Sequence, residues 1–331
     1  MITRETVAEQ FLQREGWGAA TIAPLAGDAS FRRYWRVTDG ARRAVLMDMP
    51  PDKLDMRPFI AVDGHLRALG YSAPAIYAAD PKEGFALLED MGDATIAAEI
   101  AAGRDETALY GLATDWLIDL HRRGAAALPA DLPRYDDARL LEEVGRFLLW
   151  YVPAATGAPC GEQAAREFNA VWRLLLPVAR WVPESLVYRD FHIDNLIRLD
   201  RPGPAALGLL DFQDAVAGPV TYDLASLVED ARRDVPAPLA EAMKARYLAA
   251  FPALDPILFE ASFAVMAAHR HVKCLGLFVR LARRDGKPAY LAHIPRLWRM
   301  LAGALEHPKL AALARWLDIH VPADKRTVPT P

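Results

Sequence analysis

The sequence predicts an α+β fold of two lobes, a small N-terminal lobe of antiparallel strands and a larger, mostly helical C-terminal lobe. Two observations favour this fold. Up to about residue 93, short apolar runs alternate with turn signals such as Gly27-Asp28 and Asp39-Gly40, which is typical of strands joined by tight turns. From about residue 94, long Ala- and Leu-rich segments dominate, which is typical of packed helices.

The expected elements follow in order along the chain. The pattern predicts an amphipathic helix at 3–14, a β-meander at 21–50, a helix near 56–69 and two strands within 73–93. Helices are then expected near 94–123, 137–150, 161–180, 222–233, 236–250, 256–284 and 293–317, interrupted by strand-like runs at 185–188, 195–199 and 206–213. We therefore expect an N-terminal lobe at 1–90, a hinge near 88–93, a helical lobe at 91–321 and a flexible tail at 322–331.

Length and composition exclude several classes of protein. The 331 residues are 53% hydrophobic and 25% charged, which is the composition of a globular chain with an ample core. The net charge of −4 gives no electrostatic basis for binding nucleic acid or an anionic membrane, and no apolar run approaches the roughly 18 residues of a membrane span. Two cysteines, Cys160 and Cys274, are too few for a disulfide framework. We expect a soluble cytoplasmic monomer with a small-molecule substrate.

Two short motifs contain the polar residues of greatest interest. Residues 187–197 read VYRDFHIDNLI, with Asp190 and Asn195, and residues 207–214 read LGLLDFQD, in which Asp211 ends an apolar run. Each motif alone is weak, since Asp and Asn also occur as ordinary turn residues. Together they place three hard-oxygen groups at the ends of consecutive β-elements, which suits Mg²⁺. Phosphoryl transfer requires such a set, with one carboxylate to deprotonate a hydroxyl and two groups to hold the metal on a nucleotide.

The segments YRDFHIDNL and LLDFQDAVAGPVTYDLASL resemble the catalytic segments of the aminoglycoside phosphotransferase family, over a similarity that extends from about residue 21 to 300. The resemblance implies a protein-kinase-like fold, with Asp190 as the catalytic base and Asn195 and Asp211 as ligands of Mg²⁺. Asp223 in TYDLA matches a structural Asp of the family. Because Asp223 precedes an apolar helix, we expect it to be an N-terminal cap.

The same resemblance implies an ATP site in the N-terminal lobe. FALLEDMGD is similar to the hinge between lobes, where backbone groups around Glu89 and Met91 would pair with adenine. GDASFRRYWRV stands where a phosphate-covering loop belongs, and the candidate phosphate contacts in it are Ser30, Phe31, Arg32 and Arg33.

The sequence departs from the family pattern at two positions. Tyr188 stands where the family commonly has His, which affects the scaffold around the base more than the base itself. The family also has a phosphate-binding Lys on its third strand, where AVLMDMP offers Met47. The phosphate charge could be met instead by Arg32 or Arg33, whose planar guanidinium groups suit phosphate, or both arginines could lie on a solvated strand face.

A basic stretch at 267–291 bears on the acceptor. His269, Lys273, Gly276, Arg280 and Arg284 would share one narrow side of a helix, which indicates either a solvated face or a basic pocket for a neutral or anionic acceptor. Gly276 is unfavourable in a helix and indicates close packing at that point. The candidate acceptor contacts are Lys273 and Arg280, with Asp190.

This stretch, with LLDFQDAV and DMPP, resembles a narrower group, the bacterial cell-wall-recycling kinases that phosphorylate N-acetylmuramate and N-acetylglucosamine at the anomeric hydroxyl. The resemblance implies an ATP- and Mg²⁺-dependent amino-sugar kinase of peptidoglycan recycling. The alternatives are an amino-alcohol or aminoglycoside kinase, and a nucleotide-binding pseudokinase with a regulatory role, which the missing lysine suggests.

Overall fold

The computed structural model describes residues 3–25 and 31–330, and its contacts divide the chain into two units. The first unit spans 1–104 and 193–214, and the second spans 105–192 and 215–331. The lobes expected from the sequence, 1–90 and 91–321, do not coincide with these units. The reason is that residues 193–214 form hydrogen bonds with residues before 104. The N–H of Leu209 donates to the carbonyl of Ser72 (2.9 Å), and the N–H of Ala97 donates to the carbonyl of Ile193 (3.3 Å).

The described elements keep the order expected from the sequence. The strands are β1 (Thr21–Pro24), β2 (Arg33–Asp39), β3 (Arg42–Asp48), β4 (Ile76–Asp80), β5 (Phe85–Glu89), β6 (Glu184–Val187), β7 (Leu196–Arg198), β8 (Leu207–Leu209) and β9 (Val216–Pro219). The α-helices are α1 (Arg4–Arg14), α2 (Arg57–Ala68), α3 (Ile96–Ala101), α4 (Glu106–Arg122), α5 (Asp137–Arg146), α6 (Val152–Thr156), α7 (Glu162–Ala179), α8 (Thr221–Val228), α9 (Ala237–Ala250), α10 (Pro256–Arg283), α11 (Ile294–Leu305) and α12 (Ala311–His320).

The first unit is built on a five-stranded sheet in the order β1-β2-β3-β5-β4, with each neighbouring pair antiparallel. This confirms the expected meander and the two later strands. The β2–β3 turn is formed at Asp39-Gly40, where Gly40 has a positive φ of 59° that glycine adopts without strain. The turn expected at Gly27-Asp28 lies outside the described residues. Helix α1 packs Phe11 and Leu12 against Val37 and Phe85, so one side of the sheet is closed by an apolar core.

The second unit is organised around α10, which begins at Pro256 and is capped by Asp255, whose carboxylate accepts the N–H of Ile257 (2.8 Å). Most of this helix is buried on all sides. The expected polar stripe is therefore not a solvated face, since His269 and Lys273 lie in the interior and only Arg284 at its end is exposed.

Gly276 lies where α10 meets the end of α5, which continues into a π-helical turn at Phe147–Tyr151. A Cβ atom at Gly276 would lie 2.4 Å from the carbonyl carbon of Arg146 and 2.4 Å from the nitrogen of Phe147. The close packing that this glycine predicts is confirmed.

The C-terminal segment, which we expected to be flexible, is held by hydrogen bonds within the second unit. The hydroxyl of Tyr151 donates to the carbonyls of Lys325 (3.2 Å) and Thr327 (2.9 Å), and Arg283 donates to the carbonyl of Thr330 (2.9 Å). These contacts join the segment to the buried helices, so it has fixed partners up to residue 330. Among the described residues, no helix has the length and apolar character needed to cross a membrane.

Candidate active site

Asp190 lies in the second unit, in a loop that follows β6. The chain turns through Tyr188 and Arg189, whose positive φ of 76° is unusual for a residue with a side chain. The carboxylate of Asp223 fixes this loop by accepting the backbone N–H groups of Tyr188 and Arg189 (2.9 Å for Arg189). Burial raises the pKa of Asp223 to about 7, against the opposing effect of these two hydrogen bonds. The expectation that Asp223 caps α8 is wrong, because it lies inside the first turn and its carboxylate is used by the loop.

Three cationic side chains set the charge of Asp190. Burial by itself raises the pKa of a carboxyl group, but Lys273, Arg189 and Arg270 outweigh burial and lower the pKa of Asp190 below its usual value. Asp190 is therefore ionised at neutral pH. An ionised carboxylate in a fixed loop is able to orient a hydroxyl group and take its proton.

Two of these cations share a buried acid, Glu143 of α5. Arg189 forms an ion pair with Glu143, and the Nζ of Lys273 lies 3.3 Å from the Oε2 of Glu143 and 3.2 Å from the hydroxyl of Tyr222. Tyr135 also donates a hydrogen bond to Glu143. The side chain of Lys273 is only 5% exposed, so it belongs to a buried charge network and not to an open basic face. The sequence does not reveal Glu143 because a buried Glu in an amphipathic helix has the same pattern as a solvated one.

Arg280, the other candidate acceptor contact, has different surroundings. It lies seven residues after Lys273, which is about 10 Å along a helix. Burial and the neighbouring Arg284 and Arg146 lower the pKa of Arg280, whereas Arg284 itself is exposed and paired with Asp285 (2.6 Å). Lys273 and Arg280 thus do not share a partner, and Lys273 is the one whose charge acts on Asp190.

The two expected metal ligands lie at one end of a hairpin in the first unit. Asn195 immediately precedes β7, Asp211 follows β8 by two residues, and these antiparallel strands pair Leu196 with Leu209. The N–H of Leu210 donates to the carbonyl of Asn195 (3.0 Å), which keeps the strand ends together. A carboxylate and an amide are oxygen donors of the kind expected for Mg²⁺, which takes few protein oxygens and relies on phosphate oxygens for the rest.

Arg32 lies beside Asp211 in the same unit. Its side chain is 9% exposed and donates hydrogen bonds to the Asp211 carboxylate and to the side-chain oxygen of Gln213. Gln213 in turn donates to Asp211 (3.0 Å). Arg32 therefore provides a fixed positive charge next to the expected metal ligand.

Arg33 is the first residue of β2 and has different partners from Arg32, which precedes the strand. It forms an ion pair with the buried carboxylate of Asp48 (2.7 Å) and lies over the ring of Trp35, 5.3 Å from its centroid. Met47, on β3, is fully buried, so the strand position where the family has its lysine belongs to the core here. The structure separates the two arginines that the sequence left equivalent, because Arg32 pairs with Asp211 and Arg33 with Asp48.

The remaining nucleotide candidates differ in their surroundings. Phe31 is 62% exposed, and Ser30 lies outside the described residues. The carboxylate of Glu89 accepts the N–H of Ala75 (3.1 Å) and pairs with Arg201, so its side chain supports the end of β5. Within residues 3–25 and 31–330, the N–H of Met91 makes no hydrogen bond to another backbone group. The backbone N–H of Glu89, in contrast, donates to the carbonyl of Ala75 (2.7 Å).

A family model described as the phosphotransferase enzyme family matches residues 21–257. The chain belongs to this family. It is 37% identical to an N-acetylmuramate/N-acetylglucosamine kinase of Caulobacter vibrioides over 98% of both chains, and 38% identical to one of Pseudomonas aeruginosa over 92% of this chain and 90% of the relative. The phosphotransferase class expected from the sequence is therefore confirmed.

The fold is also that of solved kinases. The choline kinase LicA from Streptococcus pneumoniae superposes with a TM-score of 0.65, covering 92% of this chain and 99% of the other, at 12% sequence identity. At that identity the similarity shows the fold alone. It confirms the kinase-like α+β fold class expected from the sequence.

Proposed function

We propose that this phosphotransferase transfers the γ-phosphoryl group of ATP to the anomeric hydroxyl of N-acetylmuramate and N-acetylglucosamine, giving the sugar 1-phosphates. The observation that carries the substrate is the similarity to two kinases named for these sugars over at least nine-tenths of each chain. The enzyme would act in the recycling of peptidoglycan, in the cytoplasm and as a monomer.

Asp190 is proposed as the base. The acceptor oxygen attacks the γ-phosphorus, the bond from this phosphorus to the bridging oxygen of ADP breaks, and Asp190 takes the hydroxyl proton. The low pKa of Asp190 makes it a weak base, but an anomeric hydroxyl is more acidic than other sugar hydroxyls, so an ionised carboxylate is adequate. The Asp223 hydrogen bonds to the loop support this role because they fix the loop that presents Asp190.

Asn195 and Asp211 would hold Mg²⁺, which when bound neutralises charge on the nucleotide phosphates. We infer that Arg32 meets the phosphate charge that the family usually meets with a lysine on the third strand. Its burial and its position beside Asp211 support this inference, since a guanidinium group there is already fixed. Ser30 and Phe31 would complete the phosphate loop, and backbone groups at 89–91 would pair with adenine.

Lys273 and Arg280 are proposed acceptor residues with unequal support. Lys273 belongs to the charge network around Asp190, whereas Arg280 lies among other arginines about two turns along α10. A contact from Arg280 to the lactyl carboxylate of N-acetylmuramate therefore rests on its charge alone.

The test is an incubation of the enzyme with ATP, Mg²⁺ and each sugar, followed by phosphorus NMR. An acid-labile product whose phosphorus couples to the anomeric proton is expected, whereas a 6-phosphate would couple to two methylene protons. Turnover of choline-like or aminoglycoside acceptors without turnover of sugars would overturn the substrate and leave the phosphotransferase. Nucleotide binding without turnover of any acceptor would favour a regulatory module.

A further inference from the structure

Arg270 lies on α10, one turn before Lys273, and its side chain is buried with 2% of its surface exposed. Its guanidinium group forms no hydrogen bond and no ion pair with residues 3–25 or 31–330, and its Nε is completely enclosed without a partner. The other two cations that act on Asp190 are satisfied, because Arg189 and Lys273 both pair with Glu143. Arg270 is thus the member of this group whose donors are unused.

An unpaired guanidinium group inside a protein is unfavourable, since arginine stays charged and loses its hydration when it is buried. Asp190, Asp230 and Tyr222 lie close enough to act on the charge of Arg270, but none of them accepts a hydrogen bond from it. A structural arginine would be expected to have such acceptors. The N–H donors of Arg270 are therefore open to an acceptor that arrives with a ligand.

The planar fork of a guanidinium group matches the two oxygens of a carboxylate or a phosphoryl group. Arg270 lies close enough to Asp190 for their charges to act on each other, so it lies near the proposed base. We propose that Arg270 binds an oxyanion of the reactants beside Asp190, either a carboxylate on the acceptor or the phosphoryl group during transfer. This inference rests on the proposed function, because both sources are reactants of that reaction.

The test compares Arg270→Met, which keeps the volume and removes the charge, with Arg283→Met on the same helix. Arg283 is exposed and donates only to the carbonyl of Thr330, so its variant should retain wild-type kinetics. For Arg270→Met we expect kcat/KM to fall about tenfold to a hundredfold, which corresponds to the loss of a hydrogen bond between charged groups. Arg270→Lys should recover part of this loss because it keeps the charge without the fork.

The two sources of the oxyanion give different kinetics. If Arg270 binds the carboxylate of the acceptor, the loss in Arg270→Met is confined to N-acetylmuramate, which has a carboxylate that N-acetylglucosamine lacks. If it binds the phosphoryl group, kcat falls equally with both sugars. The first pattern supports the proposal by itself. The second supports it only together with a smaller effect of phosphate on the Tm of Arg270→Met, because an altered charge on Asp190 would also lower kcat equally with both sugars. A kcat/KM within twofold of wild type for both sugars overturns the proposal.

Thermal stability separates a ligand contact from a structural one. In an Asp190→Asn background, where Arg270 no longer acts on the charge of the base, replacing this arginine by an apolar side chain of similar volume should leave the Tm unchanged or raise it. A lower Tm, or failure to fold, would mean that the guanidinium group supports the fold without ligand and would overturn the proposal.

A binding measurement keeps this inference distinct from the proposed function. Inorganic phosphate should raise the Tm of the wild-type enzyme and of Arg283→Met, and it should raise the Tm of Arg270→Met less. If the wild type phosphorylates neither sugar, the proposed function fails, but this comparison still decides whether Arg270 binds an oxyanion. An equal effect of phosphate on all three proteins overturns the role of Arg270.

Discussion

The guanidinium group of Arg32 donates hydrogen bonds to the carboxylate of Asp211. Arg32, which is proposed to contact phosphate, therefore neutralises the charge of Asp211, which is proposed to hold the metal. Mg²⁺ would have to compete with Arg32 for this carboxylate, whereas the phosphates of a nucleotide offer Arg32 another anionic partner. We infer that Mg²⁺ and nucleotide bind together and that either one alone binds weakly.

Arg32→Met tests this coupling. We expect the KM for ATP to rise about tenfold to a hundredfold, because the phosphates lose a charged hydrogen-bond donor. Binding of Mn²⁺ as a substitute for Mg²⁺, measured without nucleotide by electron paramagnetic resonance, should become tighter as Asp211 loses its competitor. Weaker Mn²⁺ binding would contradict the competition.

The matched control is Arg33→Met. Its guanidinium group pairs with Asp48 and not with Asp211, so the KM for ATP should stay near that of the wild type. A similar rise of the KM for ATP in both variants would mean that the rise comes from the net charge of the loop and not from a contact made by Arg32.

Asp190→Asn and Asp211→Ala should fail in different ways. Asp190→Asn should lower kcat by about 100- to 10,000-fold, which is the usual contribution of a general base, and it should leave nucleotide affinity near the wild type.

Asp211→Ala should weaken Mg²⁺-dependent nucleotide binding itself, because the metal loses a carboxylate. Equilibrium binding of a fluorescent ATP analogue with and without Mg²⁺ distinguishes the two. Loss of binding in Asp190→Asn, or normal Mg²⁺ dependence in Asp211→Ala, would contradict the assigned role.

Glu143→Gln should be strongly destabilising. It leaves Arg189 and Lys273 buried without their carboxylate, and breaking a buried ion pair typically costs about 3–5 kcal/mol. The double variant Glu143→Gln/Lys273→Met should recover part of the lost free energy of unfolding, since one unpaired charge is removed. Urea denaturation of both variants and of Lys273→Met gives the coupling energy. Strict additivity would mean that Glu143 and Lys273 do not interact.

Asp63 of α2 should make stability depend on pH. Its side chain is 2% exposed, its Oδ1 has no hydrogen-bond partner among the described residues, and burial raises the pKa of Asp63 to about 7. The folded protein then binds more protons than the unfolded chain between about pH 4 and 7, so the free energy of unfolding falls as the pH rises through this range.

Asp63→Asn should remove this fall in the free energy of unfolding with rising pH. The variant should be more stable than wild type by about 1–4 kcal/mol at pH 8, and the gain should be much smaller at pH 5. Urea denaturation at the two pH values measures the difference, with Asp52→Asn as an exposed control. The same gain at both pH values would show that Asp63 is not protonated in the folded protein.

Gly276→Ala should destabilise the protein by about 1–3 kcal/mol, since a Cβ atom there meets the backbone at Arg146 and Phe147. The matched control is Gly303→Ala in α11, where a Cβ atom would meet nothing within 4 Å. That variant should be stabilised by about 0.5–1 kcal/mol through helix propensity. Thermal unfolding measures both, and equal changes would contradict close packing at Gly276.

The sequence predicts those parts of the fold that have a local signal. The helices and the first five strands follow from periodicity and turn residues, and Asp190, Asn195 and Asp211 follow from their spacing and family resemblance. Strand β9 has only four residues with Gly and Pro among them, so it lacks a strand pattern and is fixed by pairing with β6. The hydrogen bonds of the C-terminal segment have no local signal, because its backbone carbonyls accept them from side chains that are distant in the sequence.

Buried charges are the part of the site that the sequence does not reveal. Glu143 and Arg270 both lie in helices where a charged residue is ordinarily solvated, and only tertiary packing encloses them. The position of Arg270 one turn before Lys273 was an available signal, since residues three apart share a side of a helix. The separation of Arg32 from Arg33 has no such local signal, because Arg32 precedes β2 and its partner Asp211 is distant in the sequence.

Arg189 and Asp211 are the non-glycine residues within 3–25 and 31–330 whose φ is positive, at 76° and 68°. A positive φ costs a residue with a side chain about 1–2 kcal/mol of stability, and glycine avoids this cost. One of them immediately precedes the proposed base, and the other is a proposed metal ligand. At Arg189 glycine would also break the buried ion pair with Glu143, which costs more than the positive φ does. At Asp211 glycine would relieve the conformation but remove the proposed metal ligand, so this position should be held constant in any search for more heat-resistant variants.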